Sequence, residues 1–302
     1  MNIAILDVRK GNRDPKNSIT ISYRNLLELK RELSADLFVS IHDINFIKHY
    51  DVIICGFGST STEAVESTKF INKNKSARII WLVGEYEQST FAPLFYSKRR
   101  FDVVKNFEHN LKHKNANKQY LININTLIVR KPNKQVQKKY DCLYWGRWRP
   151  GREKYFKEYL QEGVYLSTSS KNMKKFIFAG CNPLFLNSMK WDYKREALNN
   201  FRYSIYLEDE FTHNNYNCLA NRYYEALFCN VVQFFDISCA NTIKKSLIDL
   251  DHFFIVQSKE ELISKINSID YNEMMIKQKN LQQQAVSERS KTINEIRNIL
   301  TT

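Results

Sequence analysis

The stretch "ARIIWLV", residues 77–83, decides how the amino half of this chain folds. Its apolar run lacks the alternation of a strand with one wet face, as expected of a strand covered on both faces in a parallel sheet. Reading outward gives alternating strands and helices. Upstream, "STSTEAVESTKFINKN" (59–74) predicts a helix with Thr60 and Glu63 as a capping box. Before it stand "YDVIICGF" (50–57), "ADLFVSI" (35–41), a helix containing "YRNLLELKREL" (23–33), and a first strand "NIAILDV" (2–8). Downstream, "FDVVKNF" (101–107) and "YLININTLIV" (120–129) predict two more strands. The first half is an open α/β domain.

The alternation restarts after "RKPNKQVQKKYD" (130–141), a polar, basic, proline-bearing segment that reads as a linker. "DCLYWG" (141–146) leads into a basic turn, the helix "EKYFKEYLQEG" (153–163) and the strand "VYLST" (164–168). Later come "YSIYLED" (203–209), a helix from Asn215 to Cys229 ending at Asn230, and the buried strand "VVQFFD" (231–236). "FFIVQS" (253–258) precedes the helix "KEELISKINSI" (259–269), with Ser258 and Glu261 as its capping box. The expected organisation is an α/β domain over 1–134, a second over 139–275, and a polar helical segment over 276–302 that could pack back on the first. Two such domains place a ligand at the carboxyl ends of the strands, in a cleft between them.

Composition bounds the function. The 302 residues are 43% hydrophobic and 26% charged, a soluble globular balance. No apolar run approaches a membrane span, and "MNIAILDV" enters a strand without a signal peptide's basic start, so a cytoplasmic location without a membrane partner is expected. Six scattered cysteines without a C-x-x-C pair read as reduced core thiols, and no histidine spacing offers a metal site. Neither a P-loop motif nor G-x-G-x-x-G with a following acid is present, which disfavours P-loop NTPases and ordinary dinucleotide enzymes. Lys and Arg total 46 against 32 Asp and Glu, a net charge of +14 that favours a polyanionic partner. A basic composition with no partner is the plainer alternative.

Three groups of residues sit where chemistry is expected. In "LYWGRWRPGRE" (143–153), Arg147, Arg149 and Arg152 surround Gly146 and Gly151 between a strand and a helix. A glycine turn lets backbone amides approach an anion, a helix start adds its dipole, and guanidiniums supply forked donors, which suits a diphosphate. A solvated basic loop would look the same. Arg222 and Glu225 stand three residues apart on one helix face, as would an ordinary surface salt bridge worth a few tenths of a kcal/mol. Asp7, Gly56, Gly58, and Glu85 in "WLVGEYEQ" (81–88) follow strands of the first domain.

These motifs carry a resemblance. The order "WGRWRPGRE", "YLEDEFTHNNY", "NRYYEALFCNVVQFFD", "FFIVQSKEELISKINSI" resembles the carboxyl-terminal, nucleotide-sugar domain of two-domain GT-B glycosyltransferases, among them the bacteriophage DNA β-glucosyltransferases that glucosylate hydroxymethylcytosine. The amino half runs parallel to that family, with "ARIIWLVGEYEQ" where the family has a strand ending in an acidic residue. The likeness implies a GT-B fold, two Rossmann-like domains facing a central cleft. It implies that Glu225 meets the ribose hydroxyls of UDP and that Arg222, Arg149 and Arg152 meet its phosphates, with Gly146 and Arg147 in the same turn. The turn is one residue shorter than the family pattern, and Arg147 stands where the family has a small hydroxyl residue. Asp209, or its neighbour Glu208, resembles an acid near the sugar.

Glu85 resembles the family's catalytic base, with Glu in place of Asp, and Glu87 competes for the role. The implied reaction is inverting transfer of a sugar from a UDP-sugar, UDP-glucose foremost, to a 5-hydroxymethyl pyrimidine in double-stranded DNA by a monomer. Assistance by Mg²⁺ or Mn²⁺ stays open. Lys98, Arg99 and Arg100 in "FYSKRRF" and the "RKGNR" loop are the candidate DNA contacts, or ordinary basic patches. A GT-B enzyme acting on a carbohydrate or small-molecule acceptor, and a non-enzymatic nucleic-acid-binding protein, are the competing readings.

Overall fold

The computed structural model describes residues 1–8, 21–56, 61–83, 97–130, 132, 136–189 and 196–302. They form two compact units, residues 1–128 with 288–302, and residues 129–287.

The first unit is built on a six-stranded, wholly parallel sheet. Its elements are β1 (Ile3–Leu6), α1 (Ile21–Leu33), β2 (Asp36–Phe38), β3 (Val52–Cys55), α2 (Ser61–Lys73), β4 (Arg78–Val83), β5 (Phe101–Lys105) and β6 (Ala116–Leu121). The strand order is β2-β1-β3-β4-β5-β6. Every residue of β1, β3 and β5 is buried, and so are five of the six in β4, because these strands are covered on both faces. The order changes direction between β1 and β3. There the buried Asp7 faces Gly56, where an added Cβ would lie 2.7 Å from Asp7 Oδ1, so only glycine fits.

One predicted strand is misplaced. The strand expected over 120–129 lies earlier, as β6, and Ile124–Ile128 form a 3₁₀ turn. Asn106 Oδ1 takes the Ile124 amide at 2.9 Å and the Thr126 hydroxyl donates to the Asn123 carbonyl at 2.8 Å, which closes the chain into a turn. The turn buries Ile124, Leu127 and Ile128, so its apolar run imitates a strand without forming one. The expected box of Thr60 with Glu63 lies outside the described residues and side chains.

The second unit holds β7 (Tyr140–Trp145), α3 (Glu153–Tyr159), β8 (Val164–Thr168), α4 (Ser170–Phe178), β9 (Leu184–Asn187), β10 (Phe201–Tyr206), α5 (Glu210–Asn215), α6 (Asn221–Phe228), β11 (Val232–Asp236), α7 (Ala240–Lys245), β12 (Ile255–Val256) and α8 (Lys259–Ser268). Its parallel sheet runs β12-β11-β10-β7-β8-β9. Taken from β9, that is the doubly wound dinucleotide-fold order 3-2-1-4-5-6, whose switch point lies between β7 and β10. The loops leaving those two strands therefore flank the crevice where such sheets take ligands.

The helix expected over 215–229 is shorter, Asn221–Phe228, and residues 216–220 before it are not helical. Ala220 donates its amide to the Tyr206 hydroxyl at 2.8 Å, which fixes a non-helical residue before α6. Its end is as expected. Asn230 adopts φ +52°, and the amides of Asn230 and Val231 return to the carbonyls of Leu227 and Ala226, a Schellman stop with asparagine in place of glycine. In the Ser258 box, Ser258 accepts from the Glu261 amide, while the Glu261 carboxylate accepts from Gln257 rather than from Ser258.

The last helix, α9 (Tyr271–Thr301), serves both units, with residues to Ser287 in the second and those from Glu288 in the first. In the second, Gln278 accepts from the Gln233 amide and donates to the Val231 carbonyl. In the first, Ile293, Ile296, Ile299 and Leu300 join the core beside Ile3, Leu26, Val52 and Leu127. Arg289 pairs with Glu32 at 2.7 Å, and Arg78 donates to the Ile299 carbonyl while holding Asp102 at 2.6 Å. Ile296→Ala should therefore lower stability in urea unfolding by about 2–5 kcal/mol, the usual cost of emptying a packed aliphatic site. Ile276→Ala, at a position 72% exposed on the same helix, should change it by less than about 0.5 kcal/mol.

Candidate functional site

The site is assembled from the two loops at the switch point of the second sheet. After Trp145 the chain turns at Gly146, whose amide donates to the Ser167 carbonyl at 3.2 Å and whose carbonyl accepts from the Thr168 hydroxyl at 2.7 Å. A Cβ at Gly146 would sit 3.0 Å from the Tyr144 hydroxyl, and one at Gly151 would sit 3.1 Å from Asp209 Cβ. The two glycines thus let the turn close down on the groups beneath it. Asn172 Oδ1 accepts from the Trp148 amide at 3.1 Å, and the Trp148 ring packs on Phe156 and Phe176, which ties the turn to α3 and α4. Arg147 and Arg149 are exposed, and their side chains have no partner among the described residues.

Beneath the turn lies a buried charge network. Glu208, 1% exposed, follows β10 with its carboxylate between two guanidiniums. Arg152 Nη2 pairs with one oxygen, and Arg222 Nη2 lies 3.3 Å from the other. Arg152 Nε also donates to Asp209 Oδ2 at 3.1 Å. Asp209 Oδ1 accepts from the amide and hydroxyl of Thr212, both at 2.9 Å, and so caps α5. Arg222 Nη1 donates to the Tyr144 hydroxyl at 3.1 Å, and its guanidinium stands over the rings of Tyr144 and Tyr206.

Burial and ion pairing oppose each other at Asp209, Arg152 and Arg222. Burial pushes Asp209 up, but the Thr212 amide and Arg152 outweigh it and hold its carboxyl below the ordinary value. Burial likewise disfavours the charged forms of Arg152 and Arg222, yet the groups around them raise both above the usual arginine value, Glu208 foremost for Arg152 and Tyr144 with Glu208 for Arg222. Two guanidiniums and two carboxylates leave this layer neutral. The unspent positive charge for an incoming anion is that of Arg147 and Arg149 above it.

Gly146, Arg147, Arg149, Arg152, Asp209 and Arg222 thus belong to one switch point. Arg222 turns to Glu208 and Tyr144, and not to a surface pair with Glu225. Glu225 is fully buried on α6 and accepts from Trp145 Nε1 at 3.4 Å. Sequence reasoning left Tyr144 and Tyr206 unassigned and Glu208 as a mere alternative to Asp209. Their positions at or just past the carboxyl ends of β7 and β10 were the signal that could have found them.

The residues expected in the first unit fare differently. Glu85 and Glu87 lie outside the described residues. Lys98, Arg99 and Arg100 enter β5 at its amino end, whereas Asp7, Gly56 and the chain after Val83 leave the parallel sheet at its carboxyl end. The trio therefore lies at the opposite end of the sheet from Asp7, Gly56 and Val83. Arg99 donates to the carbonyls of Ile71, Asn74 and Ala77 at 3.1, 2.9 and 2.6 Å, closing the end of α2, which leaves Lys98 and Arg100 as the exposed cations. All six cysteines are buried and stand outside any disulfide.

Two parallel six-stranded sheets, each in its own unit with covering helices, give this chain the GT-B fold. No family model and no curated protein matches the sequence. The solved structures it resembles include the DNA-modifying β-glucosyltransferase of T4 phage, studied with and without uridine diphosphoglucose, at TM-score 0.76 and 18% identity over 100% of both chains. The same T4 enzyme with UDP and Mn²⁺ gives 0.71 and 16%, again over 100% of both. HepE of Anabaena, in complex with UDP and glucose, gives 0.55 and 12% over 100% of this chain and 99% of its own. At these identities the likeness is one of fold.

The network makes a stability prediction independent of any ligand. Arg152→Met leaves Glu208 buried without its closest cation and should cost about 3–5 kcal/mol, as broken buried pairs do. Adding Glu208→Gln removes the stranded charge, and urea unfolding should recover part of the loss. Equal losses in single and double variants would show that the pair does not carry the effect.

Proposed function

We propose that this protein is a UDP-sugar-dependent glycosyltransferase that moves a hexose, glucose foremost, to a 5-hydroxymethyl pyrimidine in double-stranded DNA with inversion at the anomeric carbon. The observation that carries the reading is the arginine turn 146–152 at the switch point of a dinucleotide-type sheet. The diphosphate seats on the turn against Arg147 and Arg149. Arg152 and Arg222, fixed by Glu208, Asp209 and Tyr144, hold the floor of the turn in place, and Arg147 and Arg149 supply the positive potential as charge builds on the leaving group. The ribose is assigned to the Trp145–Glu225 pair.

In the reaction the acceptor hydroxyl oxygen bonds to the anomeric carbon from the face opposite UDP, while the bond from that carbon to the phosphate oxygen breaks. The hydroxyl proton passes to a carboxylate, assigned by resemblance to Glu85, with Glu87 as the competing base. A base buried in a duplex must be extruded to present its hydroxymethyl group. The net charge of +14 and the DNA-modifying activity of the T4 enzyme support DNA as acceptor. A GT-B enzyme with a carbohydrate acceptor is the second reading; HepE, in complex with UDP and glucose, shares the fold at a lower TM-score and supports the donor without distinguishing the acceptor.

The T4 enzyme has been studied with UDP and Mn²⁺. Here Asp209 and Glu208 are engaged by Arg152, and the described residues hold no cluster of three or more metal-ligating side chains. A divalent ion would be carried by the diphosphate and would share charge neutralisation with the arginines.

Calorimetry with UDP should show Arg149→Ala weakening binding by about 1.5–3 kcal/mol, roughly 10- to 150-fold, the range for a charge-assisted hydrogen bond. Unchanged affinity would remove the phosphate assignment. Mass spectrometry of nucleosides should find hexose on 5-hydroxymethylcytosine DNA and none on unmodified DNA. Glu85→Gln should keep UDP affinity and lose about 10²- to 10⁴-fold in rate. Near-normal rates in Glu85→Gln with collapse in Glu87→Gln would move the base, and transfer only to a glycan would favour the second reading.

A further inference from the structure

Helix α4 carries a cationic face that the donor site does not use. Lys171, Lys174, Lys175 and Phe178 follow the i, i+3, i+4, i+7 spacing of one helix face, and all four are exposed. None of the three lysines pairs with a carboxylate among the described residues. Elsewhere, exposed lysines such as Lys69, Lys157 and Lys277 sit 2.7–3.0 Å from acidic partners. The chain around α4 has no such partner to offer, since no Asp or Glu occurs from Gly163 through Trp191. The helix ends in a Schellman stop at Gly180, φ +84°, which leaves the Phe178 ring 88% exposed beside the lysines.

The helix itself lies against the arginine turn, through Asn172 and Phe176 on a different side from the lysines. Asn172, one residue after Lys171, accepts the Trp148 amide at 3.1 Å, so the amino end of α4 abuts the turn that presents Arg147 and Arg149. From Lys171 to Lys175 the helix axis advances about 6 Å at 1.5 Å per residue. Measured along the duplex axis, that distance passes about two phosphates of one strand at 3.4 Å each, and the long lysine stems extend the reach beyond it. Three unpaired ammonium groups on one face can thus meet neighbouring phosphates of a single backbone run. Phe176 is buried and Met173 half-buried, so the exposed apolar side chains of α4 are Ile177 and Phe178 at its last turn, too little for insertion into a lipid surface.

We propose that α4 is a docking face for the phosphate backbone of duplex DNA, with Lys171, Lys174 and Lys175 each neutralising a phosphate. The inference rests on the DNA-acceptor reading and adds to it a surface in the second unit, separate from Lys98 and Arg100. Because these side chains are exposed, replacing them leaves the core and the buried Arg152–Glu208–Arg222 network intact.

The test is binding of a short, unmodified, labelled duplex as a function of salt, with UDP calorimetry in parallel. Lys171→Gln/Lys174→Gln/Lys175→Gln should weaken duplex binding and make the slope of log K against log salt shallower by roughly 2–3, about 0.9 for each phosphate no longer neutralised. UDP affinity should stay unchanged. An unaltered slope and duplex affinity in the triple variant would overturn the proposal, as would absence of duplex binding by the unaltered protein. Lysine-dependent binding to phosphatidylglycerol vesicles without binding to duplex would overturn it in favour of a membrane surface. Failure of the enzymatic reading would appear separately, as loss of UDP binding or sugar transfer in the unaltered protein.

Discussion

The second unit depends on one carboxylate. Glu208 is buried between Arg152 and Arg222, and each of the three belongs to a different piece of chain. Arg152 ends the turn that leaves β7, Glu208 follows β10, and Arg222 lies on α6. The switch point of a doubly wound sheet is where the chain parts in two directions, and no strand hydrogen bonds lock the emerging loops to each other. The ion triad does so instead. A buried charge pair contributes little net stability, but it is intolerant of separation, and that intolerance fixes the turn's position.

The same arrangement divides labour among the arginines. Arg152 and Arg222 are compensated from below by Glu208, Asp209 and Tyr144, so they are rigid and already desolvated. Arg147 and Arg149 stand in solvent and keep their rotamer freedom. A flexible outer pair can adjust to an anion, while the fixed, charge-compensated inner pair holds the turn that carries it in place. Gly146 and Gly151 permit this layering, since a methyl group at either would press on Tyr144 or Asp209.

Much of the fold was legible because burial on both faces writes itself as uninterrupted apolar sequence. β3, β4 and β11 are cases in point, and the Asn230 stop after α6 follows from asparagine's tolerance of positive φ. Sequence reading failed where long-range contacts decide. The apolar residues of 124–128 pack as a turn because Asn106 takes an amide from it, and α6 begins at Asn221 because Tyr206 holds Ala220. α4 and β9 fall in a stretch to which sequence reading had assigned no element. For the site, the turn and the positions of Arg152 and Arg222 were visible, but their partners were not. Tyr144 and Glu208 come from strand ends remote in sequence, and only the strand order brings them there.

The shared helix α9 bears on how the chain is made. Residues 1–128 of the first unit precede the second, yet Ile293, Ile296, Ile299 and Leu300 of the same core follow it and leave the ribosome only afterwards. The second unit is complete in sequence at Ser287, before the first can close. Synthesis order and folding order are therefore inverted. The nascent amino-terminal sheet must wait with part of its apolar surface uncovered, the period in which such a sheet is most exposed to aggregation or chaperone capture.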